Sequence, residues 1–197
     1  MKIEEYKELL STELKYLADL PLKEIQSFAD LIADRANRES TRIITAGIGK
    51  AGQIAHTLAT TLSSTGTPSF FLHPTEAQHG DLGLVCQGDI LVVFSNSGKT
   101  REVMELMELA RNLFSDISIL SITGDGESPI AKRSDHNISF GPVEEICPLG
   151  LTPTTSTTCM SVICDLIVVG VMNNIGFTRT EYNKRHHAGY LGIKSSH

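Results

Sequence analysis

The segment ILVVFSNSGKT, which runs from Ile90 to Thr100, decides the fold class of this chain. Its first five residues form a continuous apolar run, which is typical of a strand buried on both faces of a parallel sheet. A polar turn follows, and Thr100–Leu113 has the apolar spacing of a helix. A buried strand, a polar turn and a helix together form the repeating unit of an α/β fold.

The same alternation continues on both sides of this segment. We predict five strands, over Arg42–Ala46, Ser69–Leu72, Ile90–Phe94, Ile117–Ile122 and His136–Phe140. We predict helices over Lys50–Ser64 and Thr100–Leu113, a short one after Ser128-Pro129, a long one from Thr152-Pro153 to about Asn174, and one over Thr178–Lys184. Right-handed crossovers then give a flavodoxin-like three-layer αβα sandwich around a five-stranded parallel sheet. Ligands of such folds bind beyond the carboxyl ends of the strands.

The N-terminal region precedes this core as a helical arm. Apolar residues recur with helical spacing over residues 3–36, and Pro21 divides the stretch into two helices. We assign residues 1–40 to this arm, as part of the same domain as residues 41–197. Such an arm covers a sheet edge or packs against a partner subunit.

Composition narrows the classes of protein that fit. The 197 residues suffice for one domain, and the net charge of −6 argues against a nucleic-acid binder. Met1–Leu10 is charged and lacks the core of a signal peptide, and the apolar run Cys159–Met172 is short for a membrane span and contains Asp165. We therefore expect a cytoplasmic protein with no membrane partner. The cysteines form no CxxC pair, so we expect reduced thiols and no zinc site at Cys86, Cys147, Cys159 and Cys164.

The turn after the first strand reads Gly47-Ile48-Gly49-Lys50 and brings backbone close to a ligand at a helix N-terminus. With Gly52 it matches GxGxxG literally, but the second strand ends in Phe71-Leu72-His73-Pro74 without the acidic residue of a dinucleotide site. We therefore prefer a ligand-binding turn to a dinucleotide fingerprint.

The turn Ser95-Asn96-Ser97-Gly98-Lys99-Thr100 is the strongest signal for ligand binding. It places hydroxyls, backbone N–H groups and the Lys99 ammonium at a helix N-terminus, where the dipole favours an anion. The alternative is that Ser97 only caps the helix, with Thr100 as its third residue. The clustering of polar groups favours a phosphate site.

A second hydroxyl cluster, Thr154–Thr158, opens the long predicted helix. So many hydroxyls are unfavourable for helix propensity, so a ligand role is one interpretation. A face of small residues for helix packing is the other. Ser64 and Thr65, at the end of the first core helix, are candidates for another wall of the same pocket.

Candidate acids and bases stand at strand ends or in loops, and we expect them to converge on one crevice. They are His79, Glu102, Glu145, His186 and His187.

Four runs together resemble one family: GIGKAG, TGTPSFFLHPTEAQHGDLG, SNSGKTRE and EEICPLGLTPTTSTT. They are similar to the SIS (sugar isomerase) domain of D-arabinose 5-phosphate isomerases, over roughly residues 41–192. The resemblance implies interconversion of D-ribulose 5-phosphate and D-arabinose 5-phosphate, the first step toward Kdo in lipopolysaccharide. It also implies homotetramers, built as dimers of dimers with active sites at subunit interfaces, no organic cofactor, and a short form without the pair of CBS regulatory domains found in many members.

The resemblance also implies residue roles. The catalytic positions that match are Lys50, His79, Glu102, Glu145 and His186, and the phosphate-binding positions that match are Ser95, Ser97, Thr100, Thr155, Ser156 and Thr157. The chain departs from many members at Lys99-Thr100, where they have Glu-Ser, and at His186–Gly192, where they read HPGGALG.

Several alternatives stay open from the sequence. The activity could instead belong to another SIS phosphosugar isomerase, such as a hexulose-phosphate isomerase, or the chain could be a non-catalytic sugar-phosphate sensor. Either Glu102 or Glu145 is a candidate base, with His79 or His186 opening the furanose ring and Lys50 steadying the enediolate charge. We also expect an anionic end product, such as a Kdo sugar nucleotide, to compete with substrate by spanning the phosphate loop and the His186-His187 tail.

Overall fold

The computed structural model describes residues 1–36, 41–188, 190 and 194. The end of the predicted arm, residues 37–40, and most of the chain beyond residue 188 therefore lie outside the described residues. The five strands are β1 (Ile43–Gly47), β2 (Ser69–Phe71), β3 (Ile90–Ser95), β4 (Ser118–Thr123) and β5 (His136–Ser139). The helices are α1 (Ile3–Ala18), α2 (Leu22–Ala36), α3 (Gly49–Ser64), α4 (Pro74–Ala77), α5 (Arg101–Leu113), α6 (Pro129–Arg133), α7 (Thr155–Asn174) and α8 (Arg179–Asn183).

The strands form one parallel sheet in the order β2-β1-β3-β4-β5. Ile43 at the start of β1 lies opposite both Ser69 of β2 and Ile90 of β3, so all strands begin at one edge of the sheet, called here the amino edge. The chain order reverses between β1 and β3, which makes the opposite, carboxyl edge at these two strands the expected ligand position. This confirms the predicted αβα sandwich.

Alternate residues of each strand enter two separate hydrophobic layers. Ile43, Val92 and Phe94 pack on the face covered by α2, α3 and α7, whereas Ile44 and Val93 pack on the face covered by α5 and α6. Helices on both faces explain why the central strands β1, β3 and β4 are almost completely buried. α7 is apolar and long enough to cross a membrane, but its buried side belongs to this core. We therefore describe it as a core helix.

The directions of α3 and α7 are important for the site. α3 leaves the carboxyl edge at Gly49 and ends at Ser64, close to the amino edge, where β2 begins. α7 runs the same way, because the chain just beyond its C-terminus places Phe177 against Gly66, which follows α3. The N-termini of both helices therefore face the carboxyl edge.

A buried ion pair ties β1 to the segment before β3. The Asp89 carboxylate, which is fully buried, accepts hydrogen bonds from the Arg42 guanidinium at 2.7 Å and from the Cys86 amide at 2.8 Å. Arg42 Nη2 also donates to the Leu84 carbonyl at 2.6 Å. This network fixes the loop that returns from the carboxyl edge to the start of β3.

Two local predictions differ from the structure, and two short elements were not predicted. His79 lies in a turn between helix α4 and a 3₁₀ turn at Asp81–Leu84, neither of which the sequence analysis included. The predicted start of the long helix at Thr152-Pro153 is wrong by about two residues, since α7 begins at Thr155. The alternative that Ser97 caps α5 is wrong too, because the N-cap is Thr100.

Candidate functional site

The β1–α3 turn is shaped by a close approach of two backbones. A Cβ on Gly52 would lie 2.5 Å from the Gly47 carbonyl oxygen, so both residues must remain without side chains. Gly49, with φ +62°, turns the chain between them. The literal GxGxxG pattern therefore reflects tight packing of the strand end on the helix start, and it leaves Lys50 exposed in the first turn of α3.

The β3–α5 turn forms a polar loop with an open helix start. Ser95 and Thr100 join their hydroxyls at 2.7 Å, and the Ser95 Oγ also accepts a hydrogen bond from the Gly98 amide at 3.1 Å. Ser97 Oγ accepts from the Lys99 amide at 3.2 Å. The Thr100 side chain makes no capping hydrogen bond, so the first amides of this 13-residue helix are left to an external anion.

Helix α6 and its N-cap residue contact this loop. The Ile130 amide donates to the Gly98 carbonyl at 3.0 Å, and a Cβ on Gly98 would collide with the Ser128 side chain at about 2 Å. Gly98 also has a positive φ of +61°. The loop is also held through Asn96, whose carbonyl accepts a hydrogen bond from the Gly124 amide at 3.0 Å. The loop is thus preformed by the fold.

Glu145 is held by the N-terminus of α7. Its carboxylate accepts hydrogen bonds from the Thr154 amide at 2.6 Å and hydroxyl at 2.9 Å, from the Ser156 amide at 3.3 Å, and from the Ser156 hydroxyl. Partial burial raises the pKa of Glu145, but these bonds outweigh it and place the pKa below the ordinary value. The carboxylate therefore acts as an ionised anchor of this helix start.

The hydroxyl cluster is largely accounted for by this anchor. Ser156 bonds to Glu145, and the hydroxyls of Thr157 and Thr158 bond back to the Thr154 carbonyl at 2.9 and 3.1 Å. Thr155 is the exception, because its hydroxyl is fully buried and has no partner among the described residues.

Glu102 differs from Glu145 in what surrounds its carboxylate. It lies half-buried in the first turn of α5, next to the polar loop, and accepts no hydrogen bond from any residue that the structure describes. Its oxygens are therefore free to take a proton from a bound ligand.

His79 stands between α4 and the 3₁₀ turn, and its side chain is exposed. The preceding residue, Gln78, contacts α5 through Glu105, so His79 lies beside the helix that carries Glu102. The structure thus places Lys50, His79, Glu102 and Glu145 at the carboxyl edge.

Ser64 and His186 are placed elsewhere. α3 has 16 residues and spans about 24 Å, so Ser64 lies at the far, amino edge and is not a wall of the loop pocket in the same chain. Arg185 lines a groove with Ser64 there, and His186 stacks on Tyr182 with ring centroids 3.8 Å apart. Within one chain, His186 and the exposed His187 therefore do not converge with the carboxyl-edge residues.

The structure also adds residues that sequence reasoning missed. A cavity of about 450 Å³ opens beside the β1–α3 turn and is lined by Gln53, His56, Thr57, Phe71 and His73 together with the turn glycines. The signal was present, because residues 53, 56 and 57 share one face of α3 and residue 73 follows a strand end.

Cys147 forms a second polar arrangement near Glu145. The Thr152 and Leu151 amides point at its sulfur at 3.1 and 3.2 Å and lower the pKa of the thiol to about 7. These bonds curl residues 147–152 into a turn before α7.

Comparison with known proteins agrees with this geometry. Residues 38–170 match the SIS domain model. An arabinose 5-phosphate isomerase KdsD from Pseudomonas aeruginosa is 42% identical over 77% of this chain and 46% of its own length. The chain spans about half the length of the curated relatives it matches.

Two solved structures are similar over nearly their whole length. A Bacteroides fragilis protein assigned as a phosphosugar isomerase involved in capsule formation has a TM-score of 0.92 and 49% identity, over 95% of this chain and 98% of its own. The Escherichia coli CFT073 protein c3406, solved in complex with arabinose 5-phosphate, has a TM-score of 0.84 and 32% identity, over 93% of this chain and 96% of its own. The sheet order, the polar loop at the carboxyl edge and these matches together place the chain in the SIS-domain family.

Proposed function

We propose that the protein is an aldose–ketose isomerase that interconverts D-ribulose 5-phosphate and D-arabinose 5-phosphate in the cytoplasm, as the first step of Kdo formation. The observation that carries the proposal is the uncapped start of α5. There the Ser95–Thr100 loop can anchor a phosphate, and Glu102 lies in the first turn of the helix. The relatives named arabinose 5-phosphate isomerase, and the sugar-phosphate complex of c3406, support this substrate pair.

Phosphate binding at this loop supplies the energy that holds the reacting carbons in place. The isomerisation moves a proton between C1 and C2 through a cis-enediol, and therefore needs one base within reach of both carbons. Of the two carboxylates, we assign Glu102 as this base, because its oxygens are free. Glu145 is a weaker candidate, since its lowered pKa and its four hydrogen bonds oppose protonation.

The remaining roles follow from charge and position. The Lys50 ammonium, in the first turn of α3, is suited to stabilising the enediolate oxygen, as is the helix N-terminus beneath it. His79 lies beside the helix that carries Glu102 and is suited to moving the hydroxyl protons and opening the furanose ring. Each of these steps uses only side chains of this protein.

We further propose that the active sites are shared between subunits of a homotetramer. Ser64 and His186 reach a carboxyl edge only if a second copy supplies them, because α3 separates them from their own loop. Helix α1 offers an apolar surface that a second copy can cover. It buries no residue and leaves Ile3, Tyr6, Leu10 and Leu14 between 55% and 68% exposed. A Kdo sugar nucleotide that competes with substrate would, on this view, contact the loop of one subunit and the tail of another. Competitive inhibition kinetics with such a nucleotide test this part.

The experiment that tests the activity is a panel of phosphosugars in deuterated water. D-Arabinose 5-phosphate should be converted to D-ribulose 5-phosphate with exchange of the C2 proton, followed by NMR. Faster turnover of a six-carbon ketose phosphate would instead identify a hexulose-phosphate isomerase. Binding without exchange for every sugar in the panel would identify a sensor and contradict the proposal.

A further inference from the structure

The segment that carries His79 is joined to α5 by a side-chain hydrogen bond. Gln78 Nε2 donates to Glu105 Oε2 at 2.9 Å, and within α5 Arg101 Nε donates to Glu105 Oε1 at 2.6 Å. The bonds from Arg101 and Gln78 lower the pKa of Glu105, so its carboxylate remains an acceptor throughout the neutral range. We call this network the Gln78 clamp.

The clamp attaches one turn away from the proposed base. Glu105 follows Glu102 by three residues in α5, and residues so spaced lie on the same face with Cβ atoms about 5–6 Å apart. His79 directly follows Gln78 in the chain. The hydrogen bond between Gln78 and Glu105 therefore holds the turn that carries His79 against α5, the helix that carries Glu102.

Burial does little to hold His79 itself. The four-residue helix α4 is anchored by its buried residues Pro74 and Ala77, but residues 78–81 are exposed. Gly80 adopts φ +122°, and a Cβ there would meet no atom within 4 Å. The His79 amide bonds back to the Glu76 carbonyl at 2.9 Å, which ties the turn to α4, and the Gln78 side chain ties it to α5.

We propose that the Gln78 clamp positions His79 for proton transfer, so that Gln78 and Glu105 are positioning residues of the isomerisation. The inference rests on the proposed function, in which His79 moves the substrate's hydroxyl protons. A proton-transfer group must stay within hydrogen-bond reach of the substrate oxygen. A displacement of about 1 Å can lower the rate by ~100-fold.

The test exchanges the two partners. Gln78→Met keeps the length of the side chain and removes the donor, and it should lower kcat about 10-fold with KM changed by less than about 2-fold, because the phosphate loop is untouched. Gln78→Glu sets two carboxylates against each other and should lower kcat at least as far. Adding Glu105→Gln to Gln78→Glu restores a donor–acceptor pair in reverse and should recover most of the lost kcat.

One single variant serves as the matched control. Glu108→Gln removes an exposed carboxylate one turn further along α5 and should leave kcat unchanged. A loss that appears only in KM, or a double variant no better than Gln78→Glu, would overturn the clamp.

The NMR signals of the His79 imidazole read the clamp without turnover. Their chemical shifts should change in Gln78→Met and return toward wild type in the reversed double variant. If no phosphosugar is isomerised by the wild type, the proposed function fails, while these chemical shifts still report whether the clamp holds His79. Identical His79 signals in wild type and Gln78→Met would overturn the inference by themselves.

Discussion

At the scale of single residues, the two glutamates that the sequence could not rank are distinguished by their neighbours. Glu145 is enclosed by hydrogen-bond donors from residues 154 and 156, which no periodicity or motif reveals, because they depend on how the chain folds back before α7. Glu102 shows the opposite case, since its place in the first helical turn after a strand followed directly from the sequence.

Substitution by glutamine separates their roles. Glu102→Gln should lower kcat by about 10² to 10⁴-fold and abolish C2 proton exchange, because it removes the base and keeps the shape. Glu145→Gln should retain measurable exchange but lower the melting temperature, since it weakens the anchor of α7. Both quantities are measured on the same preparations, by NMR exchange and thermal unfolding. Abolished exchange in Glu145→Gln, with normal exchange in Glu102→Gln, would reverse the assignment.

The thiol of Cys147 gives a pH-dependent prediction. Its pKa of about 7 means that the thiolate, the reactive form, predominates above that pH and disappears below it. Alkylation by iodoacetamide in a Cys86→Ser background should therefore accelerate as the pH rises through about 7. The buried Cys159, whose pKa is raised to about 11, should remain protected and serves as the internal control. A rate that rises only above about pH 8.5, the ordinary range for cysteine, would contradict the observed amide contacts.

At the scale of elements, the apolar runs predicted β1, β3 and β4 most directly, because these central strands are buried on both faces, whereas the edge strands β2 and β5 are only partly buried. The errors fall where tertiary contacts override local signals. Thr152-Pro153 has the composition of a helix start, but the turn around the Cys147 sulfur and the contacts of Glu145 delay α7 to Thr155. Helix α4 was missed although Pro74 occupies its first position, a signal that was available in the sequence.

The loop from the carboxyl edge to β3 depends on the Arg42–Asp89 pair. Asp89→Ala should cost about 1–3 kcal/mol of unfolding free energy, because it leaves the partly exposed Arg42 guanidinium and the Cys86 amide without their acceptor. Denaturant unfolding measures this cost. The matched control is Glu127→Ala, which breaks an exposed pair with Lys132 and should cost less than about 1 kcal/mol. Equal costs for the two variants would show that burial of Asp89 contributes nothing.

At the scale of the whole molecule, the candidate residues were placed in loops from the sequence, but each loop was not assigned to one edge of the sheet. Ser64 ends a helix that begins at the carboxyl edge, and a helix in a parallel crossover returns the chain to the amino edge. That rule would have separated Ser64 from the phosphate loop. The position of His186 follows from the packing of residues 177–186 near Gly66, which has no counterpart in a sequence pattern.

Sites shared between subunits predict complementation. In a shared site, one subunit supplies the phosphate loop with Glu102 and the other subunit supplies His186. Glu102→Gln impairs the first part and His186→Ala the second, so a homo-oligomer of either variant should be weakly active. Mixed after partial denaturation and refolding, the two variants should regain activity, since about a quarter of the sites in a randomly paired symmetric dimer contain no substitution. Activity in the mixture equal to the mean of the separate variants would show that each site is built from a single chain.

The exposed apolar side of α1 has a consequence for how assembly can be followed. Tyr16 and Thr158 tie only the C-terminal half of this helix to the body, through Glu144 and Glu13. The half from Ile3 to Leu10 is fewer than ten residues long and lacks buried contacts, and so short a helix is marginal by itself in water. Its amide hydrogens should exchange with solvent deuterium rapidly in a dissociated chain and slowly in an assembled one. Deuterium uptake over these few residues would then report the progress of subunit association without a substrate or a label.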